Sequence, residues 1–304
     1  MLKHPKFRQW SWYTGGGLAI AIGIAVIFSP RSHGYAFYDD FLGWGAGLII
    51  FLGIIMINKA RKYAQKSADE LLSEDKRPPV IYLRSFKDDR AAAAPAALTN
   101  WFVVYTEEEQ LVHVLNDFGP CVAIGQPGEQ LPDLGAARMY FADDEWQEKV
   151  LEFLAASTLV VLRAGATPNF FWEVEQSAKI VNPENLIILV PVSKKKYNEF
   201  RKNADQFFPE KLPDYVGSSI FSGKTGSLQG YIYFDKDWTP HFVRFRVSLI
   251  VQSISRPLEP IFRKAFAPVY QQLAMPLPKI RISPVVVIMI IISLLFLCLA
   301  FLNQ

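Results

Sequence analysis

Hydrophobic residues are arranged along this chain in two different ways. Three long stretches carry no charge at all: Gln9 to Pro30, Phe41 to Asn58, and Ile282 to Leu302. A bilayer core takes about 20 apolar residues in helical form, so each stretch predicts a transmembrane helix. Between them, over residues 79–255, short apolar runs alternate with amphipathic ones. Val80 to Leu83, Cys121 to Ile124, Thr158 to Leu162, Leu186 to Val192 and Tyr231 to Phe234 read as strands, the last of these closing the sheet. Thr106 with Glu109 forms a capping box ahead of Leu111, Val112, Val114 and Leu115, which predicts a helix. Asp144 with Gln147 suggests a second box, ahead of Val150, Leu151, Phe153 and Leu154. Thr167-Pro168-Asn169 opens a helix over Phe170 to Val181, since proline suits a first helical turn, and Thr239-Pro240 opens a final one to about Ser255. Apolar strands between amphipathic helices predict an α/β domain, a parallel sheet with helices on both faces. In such sheets ligands sit beyond the carboxyl ends of the strands, which selects the loops Arg84 to Asp89, Gly125 to Gly128 and Arg163 to Asn169.

The flanking charges orient the three spans, taken as about 10–30, 41–58 and 282–302. Lys3, Lys6 and Arg8 precede the first; Lys59, Arg61, Lys62 and Lys66 follow the second; Arg263, Lys264, Lys279 and Arg281 precede the third. The loop between the first two has Arg31 against Asp39 and Asp40. The excess of lysine and arginine puts the N-terminus and residues 79–255 in the cytosol and makes 1–58 a hairpin. A cleaved signal peptide is the competing reading of the first run, but no small-x-small site follows it. Gly15, Ala19 and Gly23, then Gly43 and Gly47, recur at a spacing that lets helix backbones approach, within the hairpin or between subunits. Residues 59–78 read as a stalk continuing the second span. Its stripe of Ala60, Ala64, Ser67, Leu71 and Leu72 fits either pairing with a second copy or a solvated connector. In the segment 256–281, Phe262, Phe266 and Tyr270 fall on one helical face. That face suits the membrane surface or the domain itself.

Composition narrows the chemistry. A net charge of +3 over 304 residues argues against a nucleic-acid partner. Four scattered histidines and two cysteines, Cys121 and Cys298, make neither a metal site nor a disulfide framework. Ser222-Gly223-Lys224-Thr225 has the end of a phosphate-binding loop, yet Ser218 stands where the motif needs glycine, and a strand follows instead of a helix. Lys194-Lys195-Lys196 with Arg201 and Lys202 reads as a solvated helix face.

One longer pattern points to a family. Val80-Ile81-Tyr82-Leu83-Arg84-Ser85-Phe86-Lys87-Asp88-Asp89 resembles the first signature of Toll/interleukin-1 receptor (TIR) domains, an apolar strand running into Ser-Phe and an acid. Thr158 to Leu162 followed by Trp172 and its acidic neighbours resembles the third TIR strand and the tryptophan-bearing helix after it, and Ile187 to Val192 the next strand. The resemblance covers about 79–195 and extends to nucleoside deoxyribosyltransferases. It implies a flavodoxin-like, nucleotide-binding sheet and, on that helix, the glutamate on which NAD cleavage depends in catalytic TIR domains; a non-catalytic interaction module or a ligand sensor is the alternative. NAD enters as substrate, and no cofactor is implied. The position four residues after Trp172 holds Gln176, so the acid is Glu173 or Glu175. Arg84, Ser85, Phe86, Asp88, Gly125 and Trp172 are the residues expected around the substrate, with Arg84 on a phosphate or in an ion pair with Asp88 or Asp89. The setting implied is a bacterial inner membrane, with self-association through the spans and stalk.

Overall fold

The computed structural model describes residues 5–27, 36–84, 106–124, 135–142, 144–217, 227–246 and 258–277, with side chains for all of these except 5–8, 36–43 and 58. Helices α1 (Pro5–Ile27) and α2 (Ala36–Ala64) pack side by side. After α3 (Ala68–Glu74) the chain alternates: β1 (Val80–Arg84), α4 (Glu107–Leu115), β2 (Cys121–Ile124), β3 (Ala137–Met139), α5 (Trp146–Ala156), β4 (Leu159–Arg163), α6 (Pro168–Ile180), β5 (Leu186–Pro191), α7 (Lys194–Ala204), β6 (Leu228–Phe234), β7 (Pro240–Arg244), α8 (Leu258–Ala265) and α9 (Ala267–Gln272).

The seven strands form one sheet in the order β3-β2-β1-β4-β5-β6-β7. The first five pair in parallel, whereas β5–β6 and β6–β7 are antiparallel. The fold is therefore α/β, with a mostly parallel sheet. Strand faces alternate. Val80, Tyr82, Leu159, Val161, Ile187 and Leu189 pack under α4, α8 and α9, while Ile81, Leu83, Val160, Leu162 and Ile188 pack under α5, α6 and α7. Both faces being covered explains why β1, β4 and β5 read as unbroken apolar runs.

Several expectations need correction. Thr239-Pro240 starts no helix: Pro240 is the first residue of β7, paired with Phe234 across a turn in which Trp238 takes φ 68°. Proline is tolerated at the start of an edge strand, where a missing N–H costs no ladder bond. Thr106 and Glu109 do form both bonds of their capping box. Asp144 and Gln147 do not, because α5 begins at Trp146 after Glu145, which is already in helical conformation and makes no side-chain cap. Phe262, Phe266 and Tyr270 face the sheet, not a membrane. Phe266 stacks on Tyr231 at 4.6 Å, Tyr270 on Phe118 at 4.4 Å, and Phe262 meets Phe245 edge-on at 4.9 Å.

The stalk is also different. Helix α2 stops at Ala64, and Ser67 starts α3 with a capping box of its own. Ala60 and Ala68 are buried, and Ala68 packs with Leu71 and Leu72 on Val122, Ala137 and Met139. The amide of Gln65 donates to the carbonyls of Gly135 at 3.0 Å and Ala136 at 3.2 Å. Leu71 and Leu72 of the expected stripe thus cover this chain's own sheet edge, while Ala64 and Ser67 are exposed, and the chain just beyond α2 is fastened to the α/β unit.

Two stretches, Gln9–Ile27 in α1 and Trp44–Ala64 in α2, are long and apolar enough to cross a bilayer. Trp10, Leu18, Trp44 and Leu48 point outward from the pair. Gly16 and Gly53 lie at the crossing: a Cβ on either would stand 2.8 Å from the other's carbonyl oxygen. Gly23 likewise abuts Ile50 and Gly15 abuts Met56, whereas Gly47 faces open space. The Nζ of Lys59 sits 4.5 Å from the centre of the Trp12 ring. Gly16→Leu should therefore force the helices apart. In membranes, cysteines replacing Trp12 and Lys59 should be joined by a short bismaleimide in the parent chain, and several-fold less efficiently with Gly16→Leu. The third uncharged run, 282–302, lies outside the described residues.

Candidate functional site

The sheet changes direction between β1 and β4. From β1 the chain builds outward through β2 and β3, then returns to build β4 on the other side. Beyond the carboxyl ends of those two strands is the crevice where ligands of open α/β sheets bind. Arg84 and Arg163 end the two strands and are register partners there.

Helix α6 leaves β4 with Pro168 in its first turn and buries Phe170, Glu173, Val174 and Ser177. This is an i, i+3, i+4, i+7 stripe, so Glu173 faces the core although it is an acid. It is only 6% exposed. Burial alone pushes its carboxyl up to about 8. Among the described residues no cation lies within ion-pair range of it, and its backbone carbonyl accepts the Ser177 hydroxyl at 2.7 Å. Glu175, two positions on, lies on the outer side and pairs with Lys179 at 2.6 Å in a surface i, i+4 bridge. Trp172 is half-buried with its ring 5.0 Å from that of Trp146, so it seals α6 against α5. Ser85, Phe86, Asp88 and Gly125 lie outside the described residues.

Arg84 lies on the other face of the sheet. Its side chain is 3% exposed and pairs with Glu108, itself 2% exposed, in the first turn of α4. It belongs to the α4 face of the sheet, while Glu173 belongs to the opposite one. The structure therefore does not bring this guanidinium beside the buried acid. Asp88 and Asp89, the acids expected to pair with Arg84, lie outside the described residues.

A polar cluster on the α4 face was not foreseen. Arg163 donates to the Tyr82 hydroxyl at 3.1 Å and to Ser227 Oγ at 2.6 Å, and stands 3.9 Å from Glu107. Glu107 accepts both the N–H and the hydroxyl of Ser227, at 2.6 and 2.7 Å. Burial raises the Glu107 carboxyl above its ordinary range, partly offset by Arg163 and Ser227. The signal for this cluster was present as Glu107-Glu108-Glu109 at a helix start and arginines at two strand ends. The capping box accounted for Glu109 alone. Cys121 is buried, and burial pushes its thiol up, so it is no nucleophile at neutral pH. No group of three metal-ligating side chains occurs among the described residues. The two faces of the sheet thus carry a desolvated carboxyl on one side and a fixed arginine–glutamate network on the other. No family model, no curated protein and no solved structure matches this chain.

Proposed function

We propose that the chain is a membrane-anchored, TIR-like protein whose cytosolic domain binds a nucleotide and uses Glu173 to cleave an N-glycosidic bond, with NAD as the substrate to test first. The observation that carries this reading is the uncompensated burial of Glu173 at the helix after β4, beside the switch point of the sheet. The parallel strands run β3-β2-β1-β4-β5, the order of a Rossmann-type half-sheet, and a flavodoxin-like order is left only when the three-residue β3 is set aside. The antiparallel β6 and β7 depart from it. The two apolar helices supply the anchor, and the basic residues after α2 favour a cytosolic domain at a bacterial inner membrane.

The reaction asks little of the protein. The bond between C1 of the ribose and the nicotinamide nitrogen breaks, its electron pair leaves with nicotinamide, and a water oxygen adds at C1 with loss of a proton. Positive charge grows on the ribose, and a carboxylate close by stabilises it. A carboxyl held near 8 is mostly protonated at neutral pH. The cationic nicotinamide ribosyl group favours its ionised form, so binding would release a proton. Because the ionised form is required, kcat/KM should rise about tenfold per pH unit below 8 and level off above it. Nicotinamide release by the full chain in nanodiscs checks this. Glu173→Gln should abolish release, and Glu175→Gln should leave it nearly intact. No release by the parent chain at any pH, in dilute or crowded membranes, would sink the enzyme reading. The engagement of Arg84 by Glu108 favours a second reading, a non-catalytic interaction module, since a carboxylate of the protein already meets that arginine's charge.

A further inference from the structure

We propose that the first turn of α4 couples the membrane hairpin to the strand ends that border the crevice. Three consecutive glutamates open this helix, and each meets an arginine from a different element. Glu107 faces Arg163 of β4, Glu108 pairs with Arg84 of β1, and Glu109 pairs with Arg61 of α2. Arg61 stands two residues beyond Lys59, which rests on Trp12 of α1. It is thus a point at which the hairpin grips the domain by charge. Glu109 also accepts the backbone N–H of Thr106 at 2.7 Å as half of the capping box. A displacement of α2 therefore acts on the cap of α4. Because residues 107–109 share one helical turn, it acts on Glu107 and Glu108 together.

The turn is a coupling element more than a brace because its polar groups are incompletely matched. Among the described residues, Oε1 of Glu108 is buried and accepts no hydrogen bond. Gly135, at φ +154°, lies so close that a Cβ there would come within 2.4 Å of that oxygen. Gln65, the last anchor of α2, holds the carbonyl of this same Gly135. A partly satisfied buried network is held less firmly in its arrangement than a fully satisfied one, so a small shift at one end can displace it. Its functional consequence rests on the reading of the crevice given above, but the coupling does not.

The test uses amide exchange of the full chain in nanodiscs and needs no substrate, so its failure is distinct from failure of the enzyme reading. Gly16→Ala sets a small displacement at the α1–α2 crossing. It should change exchange in 80–84, 107–115 and 159–163 by roughly 5- to 150-fold, the range for coupled sites. In an Arg61→Ala background the same change should have no effect on those segments, and Arg61→Lys should restore transmission in part. If Arg61→Ala loses protection in β5 as well, it has unfolded, and Glu109→Gln takes its place. An equal response to Gly16→Ala with and without the Arg61–Glu109 pair would overturn the proposal. So would no response in either background.

Discussion

Glu173→Gln is expected to make the protein more stable at neutral and alkaline pH while removing any turnover. Burial raises the folded-state carboxyl from 4.5 to about 8. The folded state therefore binds a proton that the unfolded state has released, and stability falls as pH rises through that window. Below about 4.5 both states are protonated and the acid costs nothing through ionisation. Above 8 both are ionised, and the full cost of burying the charge is present. A shift of this size corresponds to roughly 4 to 5 kcal/mol. Glutamine keeps the shape and never ionises, so the two proteins should differ little at pH 5. By pH 8.5 the variant should lead by roughly 3 to 5 kcal/mol, after allowing for the cost of a buried amide. Urea unfolding of the full chain in one detergent, repeated across pH, measures the difference, and groups common to both proteins cancel. A pH-independent difference would mean that Glu173 already has a partner or reaches water. A destabilising acid retained inside a helix face is what a trade between stability and function looks like.

This residue also shows how far the sequence could be read. Phe170 and Val174 are apolar and four apart, which places position 173 on their face and position 175 off it. Glu173 could have been chosen over Glu175 on helical geometry alone. The apolar strands β1, β4 and β5 and the Thr106–Glu109 cap were legible because each depends on neighbours a few residues away. What stayed hidden depends on distant parts of the chain. Strand β3 has three residues and no periodicity, and exists only because Val122, Ala123 and Ile124 offer an edge. The stripe of Phe262, Phe266 and Tyr270 would suit a lipid surface as well as a sheet, and its partners Phe245, Tyr231 and Phe118 decide the matter. The same holds for Leu71 and Leu72, whose cover is β3 rather than another copy. Arg84 pairs across 24 residues of sequence, a distance at which no local pattern names the partner.

That pair sets the second large effect. Glu108→Ala should destabilise the domain by roughly 3 to 5 kcal/mol, because it takes a buried carboxylate partner from the Arg84 guanidinium, 3% exposed, in a low-dielectric site. Arg84→Met leaves the opposite charge, and should cost a similar amount unless Glu108 takes up a proton. Replacing both, Arg84→Met with Glu108→Leu, removes both buried charges and keeps most of the volume. Stability should then return to within about 1 to 2 kcal/mol of the parent, since an apolar substitute for a buried ion pair is often neutral. The double-mutant cycle, read by urea unfolding at pH 7, gives the coupling energy directly. Additive losses would show that the two side chains act separately, the ion pair contributing nothing. The apolar pair also separates stability from the proposed coupling. It should fold, but α4 would lose its charged hold on β1, so the response of β1 to a hairpin change such as Gly16→Ala should weaken while that of β4, still held through Glu107, persists.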